Sequence, residues 1–191
     1  MILISDKVLE LLNKLSMFSP ATYEHCVNVS KIAASFAHEI GLDEEKIEKL
    51  KIMGLLHDIG KLKVPEKILH KPGKLSKEEY EVVKNHTKYG VELLTNIGFS
   101  DSEVIYSILH HHERIDGLGY PSGLKGDLIP ELVKILVICD SYDAMHSRHY
   151  NENHDMEYIK NEFIKNSGTQ FDSYYTKLFL DYLDRIIQKS K

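Results

Sequence analysis

The chain has 191 residues and a mass of 22.0 kDa, enough for one domain with a full hydrophobic core. Twenty-four Lys and Arg against 29 Asp and Glu leave a net charge of −5, a balance that argues against a general DNA- or RNA-binding surface. With 42% hydrophobic and 28% charged residues, and no run near the roughly 18 apolar residues of a membrane span, the expectation is a soluble globular protein without membrane attachment.

Helical periodicity dominates from the start. Leu9, Leu12 and Leu15 follow i, i+3, i+6 spacing, so residues 1–20 form one helix. That helix either packs on the core or serves a homodimer interface. Ser19 and Pro20 make an N-cap and N1 pair, and an apolar stripe from Val29 to Ile40 ends at Gly41. Asp43 caps a helix running to about His57. Ser76 with Glu79 is a capping box for one helix carrying Tyr80, Val83, His86, Val91 and Leu94. Ser100 with Glu103 is a second, opening a helix into His110, His111 and His112. Pro130 starts an apolar helix from Leu132 to Met145, whose Ile135–Ile138 run is short enough to mimic a buried strand. Asp155 and Asp172 cap two last helices. No βαβ alternation, repeat or low-complexity segment is present, so the fold class is all-α. The two long irregular stretches, Gly60–Leu75 and Glu113–Ile129, are expected to be functional.

Cys26 and Cys139, with no CxxC, exclude a disulfide framework and point to a reducing cytoplasm. The N-terminus lacks the basic region and small-residue cleavage site of a signal peptide. Eleven histidines are the unusual count. His57 and Asp58, in LLHDIGK, end a helix that Gly60 breaks, and the turn aims Lys61 at the same place. The plain alternative is a capped helix end with a solvated Asp and Lys. His25 starts an amphipathic helix, His86 lies within another, and His111 and His112 end a third before a Gly-rich loop. Asp140 interrupts ILVICDSYDAM, where a carboxylate is costly unless a metal or hydrogen bonds satisfy it. Five helices thus each deliver a His or Asp, a pattern expected of a metal site built inside a helical bundle.

The ordered series HDIGK (His57–Lys61), KPGKLSKEEY (Lys71–Tyr80), HHERIDGLGYP (His111–Pro121), LKGDLIP (Leu124–Pro130), DSYDAM (Asp140–Met145) and GTQFD (Gly168–Asp172) resembles the HD-GYP domains, a branch of the HD phosphohydrolase superfamily. The resemblance runs from about Thr22 to Phe179 and implies a catalytic domain over residues 21–191. It implies an all-helical fold, two or three divalent metals (often iron, sometimes manganese) and hydrolysis of cyclic di-GMP, a bacterial second messenger. Carried over by position, His25, His57, Asp58 and Asp140 hold one metal. His86, His111 and His112 hold the second, with Asp58 bridging. Asp58 and Lys61 are the catalytic positions, Lys61 reaching a phosphate oxygen. His110 has no role and is expected to be an exposed helix-end residue. His38, His70, His146, His149 and His154 match no ligand position. Mixed His and carboxylate ligation suits Fe or Mn, and imidazole also suits Zn.

Two departures matter. Trimetal relatives carry Glu four residues before the first histidine, where this chain has Ala21. Glu24, about 100° round the helix from His25, does not replace it. Two ions and linear pGpG as main product are therefore expected. After Asp143 the chain reads DAMHSRHY, one residue shorter than the related DAxTSxRPY, which leaves Arg148 as the substrate-binding arginine and suggests weakened affinity. Tyr120 offers its ring to a guanine or a partner protein, or anchors the Gly-rich loop on the core. Competing readings are a catalytically weak cyclic-dinucleotide-binding or protein-interaction module, with a signalling partner at the Gly-rich loop, and an HD phosphohydrolase acting on another nucleotide. No receiver, sensor or membrane module is expected beside this domain, so it acts alone or under a regulator on another polypeptide.

Overall fold

A computed structural model describes residues 5–149 and 156–189. The architecture is all-α. Helix α1 (Asp6–Phe18) is followed by α2 (Pro20–Glu39), α3 (Glu44–Leu56), a 3-10 turn (Ile59–Lys63), the one-turn α4 (Glu66–Leu69), α5 (Lys77–Lys84), α6 (His86–Asn96) and α7 (Ser102–His110). A second 3-10 turn (Gly126–Leu128) then leads into α8 (Glu131–His149), α9 (Met156–Asn166) and α10 (Ser173–Lys189). No described helix is long and apolar enough to cross a membrane.

Helix α2 is the spine, lying against α1, α3, α8 and α10. It buries Cys26, Val29, Ala33, Phe36 and Ala37 on one stripe. Helix α8 is buried nearly all round from Leu132 to Cys139, as a helix apolar on every face must be. The Ile135–Ile138 run is therefore helix, its length set by the 19-residue element around it. Phe36, Phe163 and Phe179 interlock at ring centroid distances of 5.0 and 5.3 Å and close the core under α9 and α10. Cys26 and Cys139 are free thiols in that core; burial pushes Cys26 up to about 11 and Cys139 higher still, so neither is a reactive thiolate.

The capping residues act largely as the sequence suggests. The Asp43 side chain accepts from Lys46 N, and both halves of the Ser76–Glu79 capping box form. Asp172 Oδ1 accepts from Tyr174 N and Tyr175 N at the start of α10. Ser19 does precede Pro20 at N1, but its hydroxyl pairs with Thr22 Oγ1 at 2.8 Å instead of a backbone N–H.

Four local expectations are corrected. The buried face of α1 is Val8, Leu11, Leu12 and Leu15, while Leu9 is 47% exposed; a 3.6-residue period selects i, i+3, i+4, i+7 and rotates Leu9 off the stripe. This face packs on α2 and the first 3-10 turn. The helix expected from Ser76 through Leu94 is two helices, broken at Asn85, whose side chain donates to Glu81 O. His86 therefore opens a helix instead of lying within one. The cap of α7 is Asp101, whose Oδ1 accepts from Glu103 N and Val104 N at 3.0 Å, and not Ser100. Gly60 continues into the 3-10 turn, so breaking the helix is not its role: a Cβ there would stand 1.9 Å from His86 O and 2.4 Å from Gly90 N, so glycine is needed for backbone contact with α6. The proposed cap Asp155 and the side chains of Arg148 and His149 lie outside the described residues.

Candidate metal centre

Four of the five candidate ligand imidazoles are oriented by a hydrogen bond at Nδ1. His57 Nδ1 donates to Gly54 O at 2.8 Å, His86 Nδ1 to Val83 O at 2.7 Å, and His111 Nδ1 to Ile108 O at 2.8 Å. All three are bonds to the carbonyl three residues back, available because each histidine sits at a helix end. The proton at Nδ1 leaves the Nε2 lone pair free, the usual state of a ligating histidine. His25 is held differently: its Nδ1 is 2.7 Å from Asp143 Oδ2, a carboxylate–histidine pairing that steers a metal ligand. Asp143 itself is buried and also accepts from Ser147 Oγ.

These side chains converge. His25 Nε2 lies 2.9 Å from Asp140 Oδ1 and 3.9 Å from Asp58 Oδ2. His57 Nε2 lies 3.4 Å from Asp58 Oδ2 and 3.6 Å from Asp140 Oδ1. The other oxygen of Asp58 turns the opposite way, 3.3 Å from His86 Nε2. Two ligand groups result: His25, His57 and Asp58, and Asp58, His86, His111 and His112, each with one ligand atom per residue within 4.8 Å of the others. Asp140 borders the first group. Asp58 belongs to both, one oxygen toward each, which is the geometry a bridging carboxylate needs.

The residues fit divalent cations on their own chemistry. His86 Nε2 and His111 Nε2 face each other at 3.2 Å, yet both rings have their proton at Nδ1, so two lone pairs point at one another. His57 Nε2 and Asp58 Oδ1 are buried without a hydrogen-bond partner. A buried polar atom without a partner costs about 1–3 kcal/mol; a cation in the second group would relieve Asp58 Oδ1 and the opposed His86 and His111 lone pairs, and one in the first group would relieve His57 Nε2.

The electrostatics divide the same way. Burial disfavours charge on His57, but Asp58 and Asp140 outweigh it and hold its pKa well above the ordinary value. His25 is raised likewise, against burial, by its bonds to Asp140 and Asp143. Burial and the neighbouring imidazoles hold His111 well below, and burial then His86 press His112 down to about 3. Against the cost of burial, Asp58 is kept ionised by Lys61 and His57, and Asp140 by His25 and His57. The second group is thus three neutral nitrogens and a carboxylate. Lys61 Nζ stands 2.5 Å from Asp58 Oδ2, bringing its charge to the site as the HDIGK turn suggests.

A cleft of about 640 Å³ opens onto this cage between α2 and α8, and a smaller one of about 200 Å³ reaches His111 and His112 from beside the Gly-rich loop. Tyr120 stacks on His112 at 4.7 Å and 27°, so it anchors the loop against a candidate ligand histidine. Lys84 Nζ lies 5.5 Å from the Tyr120 and Tyr80 rings. Leu118, at the loop tip, is 79% exposed. His110 is not the exposed helix-end residue expected: it is 6% exposed. It stacks on Tyr106 at 4.0 Å and its Nε2 reaches Ser122 Oγ at 3.3 Å, because the Gly-rich loop folds back over the end of α7.

Two residues escaped the sequence reading. Asp143 is three residues after Asp140 on α8, and that i, i+3 pair in DSYDAM was the available signal. Glu113 is buried and accepts from Ser122 N at 2.7 Å and Leu124 N at 2.9 Å, which fastens the Gly-rich loop; only its place directly after the His triplet hinted at this.

The HD domain family model matches residues 7–174. The 3′3′-cGAMP-specific phosphodiesterase 2 of Vibrio cholerae is 36% identical over 184 residues, 95% of this chain and 35% of the relative. A cyclic di-GMP phosphodiesterase of Thermotoga maritima is 37% identical over 180 residues, 91% of this chain and 48% of the relative. The chain thus spans about a third to a half of the length of these relatives. The HD domain of Listeria monocytogenes PgpH, solved in complex with cyclic di-AMP, superposes with a TM-score of 0.70 at 22% identity, covering 94% of this chain and 96% of that one, and this likeness bears on the fold. With an all-α fold, a buried His-Asp pair at a helix end and a family match over most of its length, the chain belongs to the HD domain family.

Proposed function

We propose that this chain is a metal-dependent phosphodiesterase of the HD-GYP branch, acting on cyclic dinucleotides and cleaving cyclic di-GMP mainly to linear pGpG. The observation that carries the reading is the pair of ligand groups sharing Asp58, with the His86 and His111 lone pairs opposed at 3.2 Å. His25, His57, Asp58 and Asp140 would hold one divalent ion, and Asp58, His86, His111 and His112 the other; iron or manganese suits this mixed set, with zinc as the alternative. When bound, two such cations would supply a water of lowered pKa and neutralise phosphate charge.

The chain's own residues do the rest. Asp58 fixes the two ligand groups relative to each other. Lys61 places a cation where negative charge grows on the phosphate, and Arg148 adds a second contact on the substrate. Asp143 keeps His25 from turning. Ala21 offers no oxygen for a third ion, which supports pGpG over GMP as the product. The activities of the related cyclic di-GMP and 3′3′-cGAMP phosphodiesterases support both dinucleotides as substrates.

The test is turnover of both dinucleotides under anaerobic, reducing conditions with Fe²⁺ or Mn²⁺, with products separated by chromatography and metal counted per chain. Two ions and accumulating pGpG are expected. Binding without turnover under every metal condition would instead make the chain a receptor, and three ions with prompt GMP would overturn the product assignment.

A further inference from the structure

The large cleft has one wall on α2 and one on α8. Along α2, Ala21, Glu24, His25 and Asn28 line it at i, i+3, i+4 and i+7. Along α8, the lining residues past Asp140 are Ala144 and Ser147, small side chains that leave width for a flat group. His25 and Asp140 belong to the metal cage, so Glu24 and Asn28 flank the cage along the helix and form a polar pair one turn apart.

Glu24 stands unpaired on the wall of the cleft. It is exposed, and its carboxylate makes no hydrogen bond or ion pair with any described residue, whereas the other acid on α2, Glu39, pairs with Arg185. A free carboxylate in a cleft that receives a phosphodiester repels the substrate unless the substrate also brings donors to it. A guanine base does so: N1–H and N2–H₂ are adjacent donors on one edge and match the two carboxylate oxygens. The Asn28 amide, one turn on, can donate to guanine O6. Adenine presents an acceptor at N1 beside its single amino donor, so the same carboxylate would oppose a lone pair.

We propose that Glu24, with Asn28 beside it on α2, reads the donor edge of a guanine in the substrate, which makes these two residues determinants of base specificity and not metal ligands. This rests on the cyclic-dinucleotide reading above.

The test compares wild type, Glu24→Gln and Asn28→Ala on cyclic di-GMP and cyclic di-AMP, with metal content measured for each and bis(p-nitrophenyl) phosphate, a diester without bases, as a further substrate for the wild type. The amide of Glu24→Gln keeps the shape but replaces one acceptor with a donor. The ratio of kcat/KM for cyclic di-GMP to that for cyclic di-AMP should fall about 10- to 100-fold, the range for one bidentate base contact, chiefly through KM and with metal content unchanged. Asn28→Ala should lower the ratio less. An unchanged ratio overturns the proposal, and so does loss of an ion from Glu24→Gln, which would make Glu24 a ligand. If the wild type cleaves the baseless diester but neither binds nor cleaves any cyclic dinucleotide, the functional reading itself fails and this proposal falls with it; if it cleaves both dinucleotides and the ratio ignores Glu24, only this proposal fails.

Discussion

Gly60→Ala tests the link between backbone packing and the metal cage. The added Cβ would stand 1.9 Å from His86 O, 2.4 Å from Gly90 N and 2.8 Å from His86 C. All three atoms are backbone, so no side chain can rotate away. Restoring ordinary contact requires the 3-10 turn and α6 to part by about 1.5 Å. Asp58 and His86 sit on the two sides of that seam, and their facing atoms are now 3.3 Å apart, so the opening is delivered almost directly to the second ligand group. Overpacking of this kind costs about 1–3 kcal/mol, or roughly 2–12 °C in Tm for a domain of this size. A misplacement near 1 Å in the reacting geometry costs on the order of 100-fold in rate. The assay is metal content by mass spectrometry, a thermal melt and turnover on the same preparation. We expect the ion at Asp58, His86, His111 and His112 to be lost and activity to drop by about two orders of magnitude. Gly90→Ala is the comparison, since its Cβ meets the movable Ile108 Cγ2 at 2.8 Å, and it should lose less on every readout. If Gly60→Ala keeps both ions, full turnover and its Tm, the backbone seam does not set the cage and the reasoning is refuted.

Other outcomes follow from the same geometry. Asp143→Ala removes the partner of His25 Nδ1 at 2.7 Å and should weaken metal affinity about 10- to 100-fold, read by competition with a chelator. Glu113→Gln leaves one of the Ser122 and Leu124 N–H groups without its acceptor, so hydrogen exchange at those two amides should accelerate while exchange in α2 stays the same; equal protection in the variant would show that Glu113 does not hold the loop. Chelation of the divalent ions returns Asp58 Oδ1 and His57 Nε2 to their unpartnered state and should lower Tm reversibly, since an ion at 100 times its Kd contributes about 2.7 kcal/mol; a Tm insensitive to both chelator and added Mn²⁺ would count against the cage.

What the linear chain determines here is local. Helix class, most caps and the identity of the candidate ligand side chains are written in short segments: Asp43 before Glu44–Leu56, the Ser76–Glu79 box, His57-Asp58 at a helix end, the His triplet and Asp140 inside an apolar run. Such signals depend on contacts within one or two turns, so periodicity and capping chemistry suffice to read them.

What only the tertiary structure decided involves residues far apart in sequence. Gly60 is required by the approach of α6, not by a helix stop. His110 is buried because a loop about ten residues later folds over it. Asp143 matters through a bond to His25 across 118 positions, and the break at Asn85 turns His86 toward Asp58. The division of Asp58's two oxygens between two ligand groups likewise exists only once α2, α3, α6, α7 and α8 are packed. Short-range preferences choose each element, but burial and the pairing of polar atoms are properties of the assembled interior, where the partner's distance in sequence carries no weight.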